Sequence, residues 1–320
     1  MLKKIGIVGG GHIGGVLFAE IAMRKLAKTI GLVEIKPPEM AKGKALDIVE
    51  GSPLIQADFE YITSKEFEAL EGCDLVLHTA GIPRTKRPDG TIPSRDELLT
   101  TNVKIAKAVS GGIQKYCPEA IIISIANPLD AIVYTLYKTL NPSKNKLMGM
   151  AGVLDSSRYR YFVAKEVGVS VENIEAMVLG GHGDSMVPVR STCRIAGIPV
   201  EKFISEEKLI EIENRTRKAG GEIVGLMGTG SAFVSAAWST LEMVEAIIYD
   251  KKKILPASSL LEGEYGVNGL FMGAPAILGA SGVEKVIEIE LADSEKDALA
   301  QSVKAVQKTC AEVDQKLIEM

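Results

Sequence analysis

Three histidines occur in the chain, His12, His78 and His182. Imidazole is the side chain that most readily gains and loses a proton near neutral pH. His182 lies in "LGGHGDSMVP", where flanking glycines let backbone approach a ligand and leave the ring accessible. His12 falls within a glycine turn and His78 within an apolar run, so structural or incidental roles suit both better than acid–base work. Upstream, "GVLDSSRYRYF" holds Asp155 and Arg158 three residues apart. On a helix that spacing puts both on one face. An aspartate can bind one ring nitrogen of a histidine, fix its tautomer and raise its pKa. An arginine can clamp a carboxylate with two parallel hydrogen bonds. The same Asp-x-x-Arg spacing also serves ordinary surface ion pairs, and the spacing alone leaves both readings open.

A second constellation opens the chain. "GGGHIG" supplies Gly9, Gly11 and Gly14 as G-x-G-x-x-G, after an apolar run ending at Val8 and before a helical pattern. Gly9 would permit the tight turn, Gly11 the close approach of a pyrophosphate, and Gly14 the packing of helix against strand. The helix N-terminus would then present free N–H groups to phosphates. Glu34 follows Gly14 by twenty residues and ends the next apolar run. A carboxylate there can accept from ribose hydroxyls and repel the extra phosphate of NADP, with Lys36 close enough to soften that repulsion. The plainer alternative is a glycine turn and a solvated glutamate. The loop "AGIPRTKRPDGTIPSRDELL" adds four cations, Arg84, Lys86, Arg87 and Arg95, on a chain of net charge -4. Such local positive charge suits a small anion.

The elements that must position these residues follow from hydrophobic period. "KIGIV", "TIGLVEI", "FEYIT", "CDLVLHT", "AIIISI" and "KLMGMA" read as strands. Helical patterns lie between them, from about Gly14, near "AKGKALDIVEG", through "ELLTTNVKIAKAVSGGIQKY" and through "NPLDAIVYTLYKTL". Apolar strands alternating with crossover helices predict a doubly wound parallel sheet. After about Ala151 the rhythm changes to long helical segments mixed with short strands such as "NIEAMVL" and "KKILPASS". The expected fold class is α/β: an N-terminal Rossmann sheet over 1–150 and a C-terminal α+β substrate domain over 151–320, with a wide contact between them. The end reads as one long amphipathic helix opened by a Ser-x-x-Asp cap at Ser294 and Asp297.

Composition bounds the partners. The 320 residues are 46% hydrophobic, enough for a large core. The mild acidity gives no reason to expect nucleic acid or an anionic membrane. No run is long and apolar enough to span a bilayer. The N-terminal run after Lys3 and Lys4 is broken by glycines, His12 and Glu20, which argues against a signal peptide. Cys73, Cys117, Cys193 and Cys310 are widely spaced, as befits free thiols in a cytoplasm, and no metal site is expected.

The chain resembles the lactate/malate dehydrogenase family, and within it the lactate-dehydrogenase-like malate branch. The resemblance is carried in family order by "GIVGGGHIGG", "KGKALDI", "TAGIPR", "SRDELLTTNVKI", "IANPLDA", "GMAGVLDSSRYR", "GGHGDSMVP", "GTGSAF" and "YGVNGLFMGAP". It implies NAD as cofactor, with hydride passing between nicotinamide C4 and substrate C2. His182 would donate or remove the proton on the substrate oxygen, Asp155 would orient it, and Arg158 would bind the substrate carboxylate. Arg95 would polarise the carbonyl. Asn127 would lie near substrate and nicotinamide, and Ser231 and Ala232 near the substrate pocket. The family often shows Ala-Pro shortly after "GSAF", where this chain has Ser235 and Ala236. The cofactor-facing set is expected to comprise Gly9, Gly11, His12, Ile13, Gly14, Glu34, Thr79, Ala80, Gly81, Asn102 and Asn127. A homotetramer is the implied assembly.

In this family a loop residue selects the substrate. In register with "TAGIPR" it is Arg84, and an arginine there pairs with the second carboxylate of oxaloacetate. Pyruvate would leave that cation buried and unpaired. The loop is longer than the family's malate pattern, which makes Lys86 and Arg87 rivals of Arg84. It resembles in length a lactate dehydrogenase subgroup that plugs its pocket with tryptophan, but it contains no Trp, Phe or Tyr; Ile92 would be only a small plug. Malate/oxaloacetate is therefore the expected substrate pair and lactate/pyruvate, or both, the alternative. A non-catalytic NAD-binding scaffold would have no use for His182, Asp155, Arg158 and Arg95 together.

Overall fold

The computed structural model describes residues 2–35, 37–83, 94–228 and 230–320. The first half runs β1 (Leu2–Val8), α1 (His12–Met23), β2 (Ala27–Val33), α2 (Pro38–Glu50), a single turn α3 (Ser52–Ile55), β3 (Glu60–Ser64), β4 (Leu75–His78), α4 (Arg95–Tyr116), β5 (Ile121–Ser124), α5 (Leu129–Leu140) and β6 (Leu147–Gly149). All six strands pair in parallel, in the order β6-β5-β4-β1-β2-β3. Each of the six predicted strands is present. Their apolar character has a direct cause: helices cover both faces. Leu17, Phe18 and Ile21 of α1 pack on one side, and Val109, Ile113, Ile132 and Val133 of α4 and α5 on the other. Chain order reverses between β1 and β4, and a crevice opens there beyond the carboxyl ends of the strands.

The second half contributes α6 (Gly152–Val167), β7 (Ile174–Leu179), β8 (Val187–Ile195), β9 (Ile198–Pro199), α7 (Glu206–Met227), α8 (Val234–Ile248), β10 (Lys253–Glu262), β11 (Asn268–Gly279), β12 (Gly282–Val286) and α9 (Asp293–Ile318). Strands β7, β8 and β9 form a small antiparallel sheet. The antiparallel trio β10, β11 and β12 joins β6 through Ser258 and Gly149 and extends the parallel sheet to nine strands. Glycine is needed at that seam, because a Cβ on Gly149 would lie 2.9 Å from Val133 Cγ2 and 3.0 Å from Ser258 Cβ. Helix α8 packs beside α1, so Leu241 and Val244 complete a core begun in the first half.

Two helix starts show how local chemistry sets boundaries. Ser94 caps α4: its hydroxyl accepts from Glu97 N–H (3.1 Å), and Glu97 accepts from Ser94 N–H (2.8 Å). Helix α9 departs from expectation. It begins at Asp293, ahead of the predicted cap at Ser294, and Glu295 Oε2 accepts the Ala292 N–H (2.8 Å). Glu295 also accepts the N–H and hydroxyl of Ser191 in β8, so a tertiary contact chose this start.

Candidate active site

Helix α6 begins against the seam between the two halves, and its first turns carry the predicted pair. Asp155 is buried, with its side chain 2% exposed, and its two oxygens serve two partners. Oδ2 accepts from His182 Nδ1 (2.8 Å) and Oδ1 from Arg158 Nη1 (3.2 Å). His182 reaches this point from the turn between β7 and β8, where Gly180 has φ +86°, a left-handed conformation that favours glycine. Residues 27 apart in sequence thus form one cluster, which excludes the isolated surface pair as the reading of Asp155 and Arg158.

Electrostatics follow from this geometry. Burial alone would lower the His182 pKa, but the Asp155 carboxylate, with a contribution from Asp130, outweighs it and holds the pKa above the ordinary histidine value. Burial lowers the Arg158 pKa, opposed by Asp155, and Arg158 Nε has no hydrogen-bond partner among the described residues. A buried guanidinium with unused donor capacity beside a protonatable imidazole can receive a carboxylate and a neighbouring oxygen. His78, in contrast, sits wholly inside the sheet against Ser124, and burial pushes its pKa down to about 4. It remains the structural histidine expected from the sequence.

Gly9, Gly11, Glu34, Thr79, Ala80 and Gly81 line a cavity of ≈530 Å³ at the carboxyl ends of β1, β2 and β4. A second, of ≈240 Å³, continues from Gly11 past His12, Ile13 and Asn127 to Ser231. Gly11 fits a cradle for pyrophosphate: an added Cβ would meet no protein atom within 4 Å, and the residue borders both cavities. Gly14 serves packing, since a Cβ would come 1.8 Å from the Gly9 carbonyl oxygen. Glu34 Oε2 accepts from Gly10 N–H (2.7 Å), which ties the end of β2 to the glycine turn.

Other predicted residues stand elsewhere. Asn102 lines neither cavity; it is a buried brace that accepts from Ile82 N–H (2.8 Å) and donates to the carbonyls of Ile82 and Asn127. Arg95 is exposed at the start of α4 and donates to Thr309 Oγ1 of α9 (3.2 Å), outside the His182–Asp155–Arg158 cluster. Ala232 lies one residue beyond Ser231 and does not line the second cavity. Arg84, Lys86, Arg87 and Ile92 lie outside the described residues, as does Lys36. Sequence reasoning missed Lys44, whose ammonium donates to the carbonyls of Gly10 and Gly11 (both 2.9 Å), and Phe233, whose ring lies 5.1 Å from that of His12. Both lie in motifs quoted above, "KGKALDI" and "GTGSAF", but their partners come from distant segments.

A doubly wound sheet with a glycine-lined dinucleotide crevice, beside a buried imidazole–carboxylate–guanidinium cluster, defines a nicotinamide-dependent oxidoreductase of small carboxylic acids. Comparison with known proteins sharpens this. Residues 3–149 match the family model for the lactate/malate dehydrogenase NAD binding domain, and residues 152–317 that for the lactate/malate dehydrogenase alpha/beta C-terminal domain. A malate dehydrogenase of Geobacillus sp. (strain WCH70) is 47% identical over 305 residues, 95% of this chain and 96% of the relative. The apo malate dehydrogenase of Picrophilus torridus superposes with TM-score 0.93 at 38% identity, covering 100% of this chain and 99% of its own. The lactate dehydrogenase of Cryptosporidium parvum, in complex with lactic acid and nicotinamide adenine dinucleotide, superposes with TM-score 0.92 at 36% identity, covering 98% of both chains. The chain belongs to the lactate/malate dehydrogenase family, and NAD is its cofactor.

Proposed function

We propose that this protein interconverts (S)-malate and oxaloacetate, with His182 as the proton donor and acceptor. The observation that carries the mechanism is the division of Asp155 between two partners, His182 on one oxygen and Arg158 on the other. Because Nδ1–H donates to Asp155, Nε2 is the nitrogen left for substrate. In oxidation, neutral His182 takes the hydroxyl proton at Nε2; in reduction, the imidazolium returns it to the keto oxygen. Asp155 supports the charged ring and Arg158 holds the C1 carboxylate, so the reacting carbon has one orientation. When bound, NAD accepts or supplies the hydride. Gly9 and Gly11 admit its pyrophosphate, Glu34 faces its adenosine ribose, and Asn127 and Ser231 border the nicotinamide end. Arg95 polarises the carbonyl once it releases Thr309.

Malate is favoured over lactate by the near-full-length likeness to malate dehydrogenases and by Arg84, the cation in register to pair a second carboxylate. Likeness to a lactate dehydrogenase structure at TM-score 0.92, against 0.93 for the malate dehydrogenase, keeps lactate/pyruvate as the second reading. We further propose a division of labour between residues 1–150, which bind cofactor, and 151–320, which bind substrate. A homotetramer is the assembly the family resemblance implies, with exposed apolar side chains such as Leu54 and Leu226 available for subunit contact, and four free cysteines suit a cytoplasmic setting. The deciding assay compares kcat/KM for oxaloacetate and pyruvate with NADH. Oxaloacetate should be preferred, and Arg84→Gln should remove the preference; a pyruvate preference in the unaltered enzyme would overturn the malate reading. Oxaloacetate turnover intact in Arg84→Gln would move the role to Lys86 or Arg87.

A further inference from the structure

The mechanism above leaves unused a carboxylate that touches the turn carrying His182. Asp130 lies in the first turn of α5, at the end of "IANPLDA". Its Oδ2 accepts the backbone N–H of His182 (2.9 Å). Its Oδ1 is shut off from solvent and has no hydrogen-bond partner among the described residues. The turn that carries His182 is pressed onto it: a Cβ on Gly181 would lie 3.2 Å from Oδ2 and 2.7 Å from Val306 Cγ2. From the other side, Ser302 Oγ of α9 accepts the Gly181 N–H (2.8 Å). The backbone of the turn is therefore held by two helices, α9 through a hydroxyl and α5 through an ionisable group.

An apolar partner could fill this space, and a serine could accept one N–H, as Ser302 does. An incompletely satisfied carboxylate is a costly choice for either job. We propose that Asp130 is a positioning residue for the reaction: it fixes the backbone beneath His182 and adds a second negative charge to the one Asp155 places beside the imidazole. The groups facing it are His182 and Asp155 across the cluster and Cys310 on α9, while Arg158 on α6 acts on His182 and lowers its pKa. Burial pushes the Cys310 thiol up to about 12, so it stays neutral and offers no competing charge. Burial also pushes Asp130 up to about 6, so it is ionised through the neutral and alkaline range where His182 would otherwise lose its proton. Asp155 orients the ring from Nδ1; Asp130 acts on the ring's anchor and on the field around it.

This inference rests on His182 being the acid–base group, and the experiment separates the two. His182→Asn tests that reading alone, through loss of turnover at every pH. Asp130→Asn retains an amide oxygen for the His182 N–H, removes the charge and places an NH2 group where Oδ1 lies. The pH profile of kcat/KM for oxaloacetate with NADH should then lose its alkaline limb at lower pH. The loss should be about 3- to 10-fold at pH 8.5 and shrink toward pH 6, where Asp130 of the unaltered enzyme itself begins to take up a proton. Asp130→Ala, which also frees the N–H, should lose kcat further and across the whole range. In heteronuclear NMR of the folded, NADH-bound enzyme, the His182 ring should titrate at lower pH in Asp130→Asn. The proposal is overturned if the Asp130→Asn profile superimposes on that of the unaltered enzyme while His182→Asn is inactive, or if the ring titration does not move.

Discussion

Asp155→Asn is the sharpest perturbation of the cluster, because the carboxylate accepts from two donors and an amide has one acceptor. His182 Nδ1–H and Arg158 Nη1–H both point at Asp155, at 2.8 and 3.2 Å. In the variant one of them must face an NH2 group. A hydrogen bond to a charged group is worth about 1.5–3 kcal/mol, and these groups are nearly sealed from solvent, so little screening discounts it. The expected loss of kcat/KM for oxaloacetate at pH 8 is therefore about 10- to 150-fold. Its pH dependence carries the sign. In the unaltered enzyme Asp155 overcomes burial and raises the His182 pKa; without it burial prevails and the folded pKa falls below the ordinary value. A raised folded pKa contributes stability at low pH that disappears as pH rises through it; the variant should reverse this and lose stability on acidification below about 6.5. NADH absorbance assays from pH 5.5 to 9, with thermal melts at the same pH values, read both effects. A loss below threefold at pH 8, with an unmoved profile, would refute the claim that Asp155 supports the protonated ring.

The glycine turn yields a paired prediction. Gly14→Ala places a methyl 1.8 Å from the Gly9 carbonyl oxygen, so its melting temperature should fall, by roughly 1–3 kcal/mol of stability or more. Gly11→Ala meets no protein atom within 4 Å and should melt normally, yet bind NADH at least about tenfold more weakly in fluorescence titration. Equal effects of the two changes on stability would contradict the separation of roles. Glu34→Gln should raise KM for NAD and move the NAD-to-NADP preference toward NADP by about tenfold, because it removes the repelling charge while its amide oxygen can still accept the Gly10 N–H. An unchanged preference ratio would show that Glu34 does not read the ribose.

Much of the site is legible in the sequence. The six strands announce themselves as apolar runs because both sheet faces are covered, and Gly9, Gly11 and Glu34 sit at positions any such crevice requires. Residues whose role depends on a distant partner were not legible. Asn102 looks like a cofactor ligand in sequence but spends its amide on Ile82 and Asn127. Lys44 carries no local sign that it covers the glycine turn. Helix α9 started at Asp293 because Glu295 binds Ser191, over a hundred residues away. Strand β11 was hard to read as well: it is buried along most of its length, so it shows no alternation, and glycines and Pro275 interrupt it.

What the sequence determined by itself was the inventory: a proton carrier, a carboxylate and a guanidinium with helical spacing, a glycine turn between strand and helix, and cations on one loop. Local propensity and hydrophobic period suffice for that, since they depend on neighbours within a few residues. Tertiary structure alone decided which of these meet. It brought His182 from one turn onto Asp155 of a helix and set Asp130 beneath it, and it left Arg95 bonded to Thr309. Those choices arise from packing α5, α6 and α9 around the β7–β8 turn. They turn on angstrom distances between segments that share no local sequence.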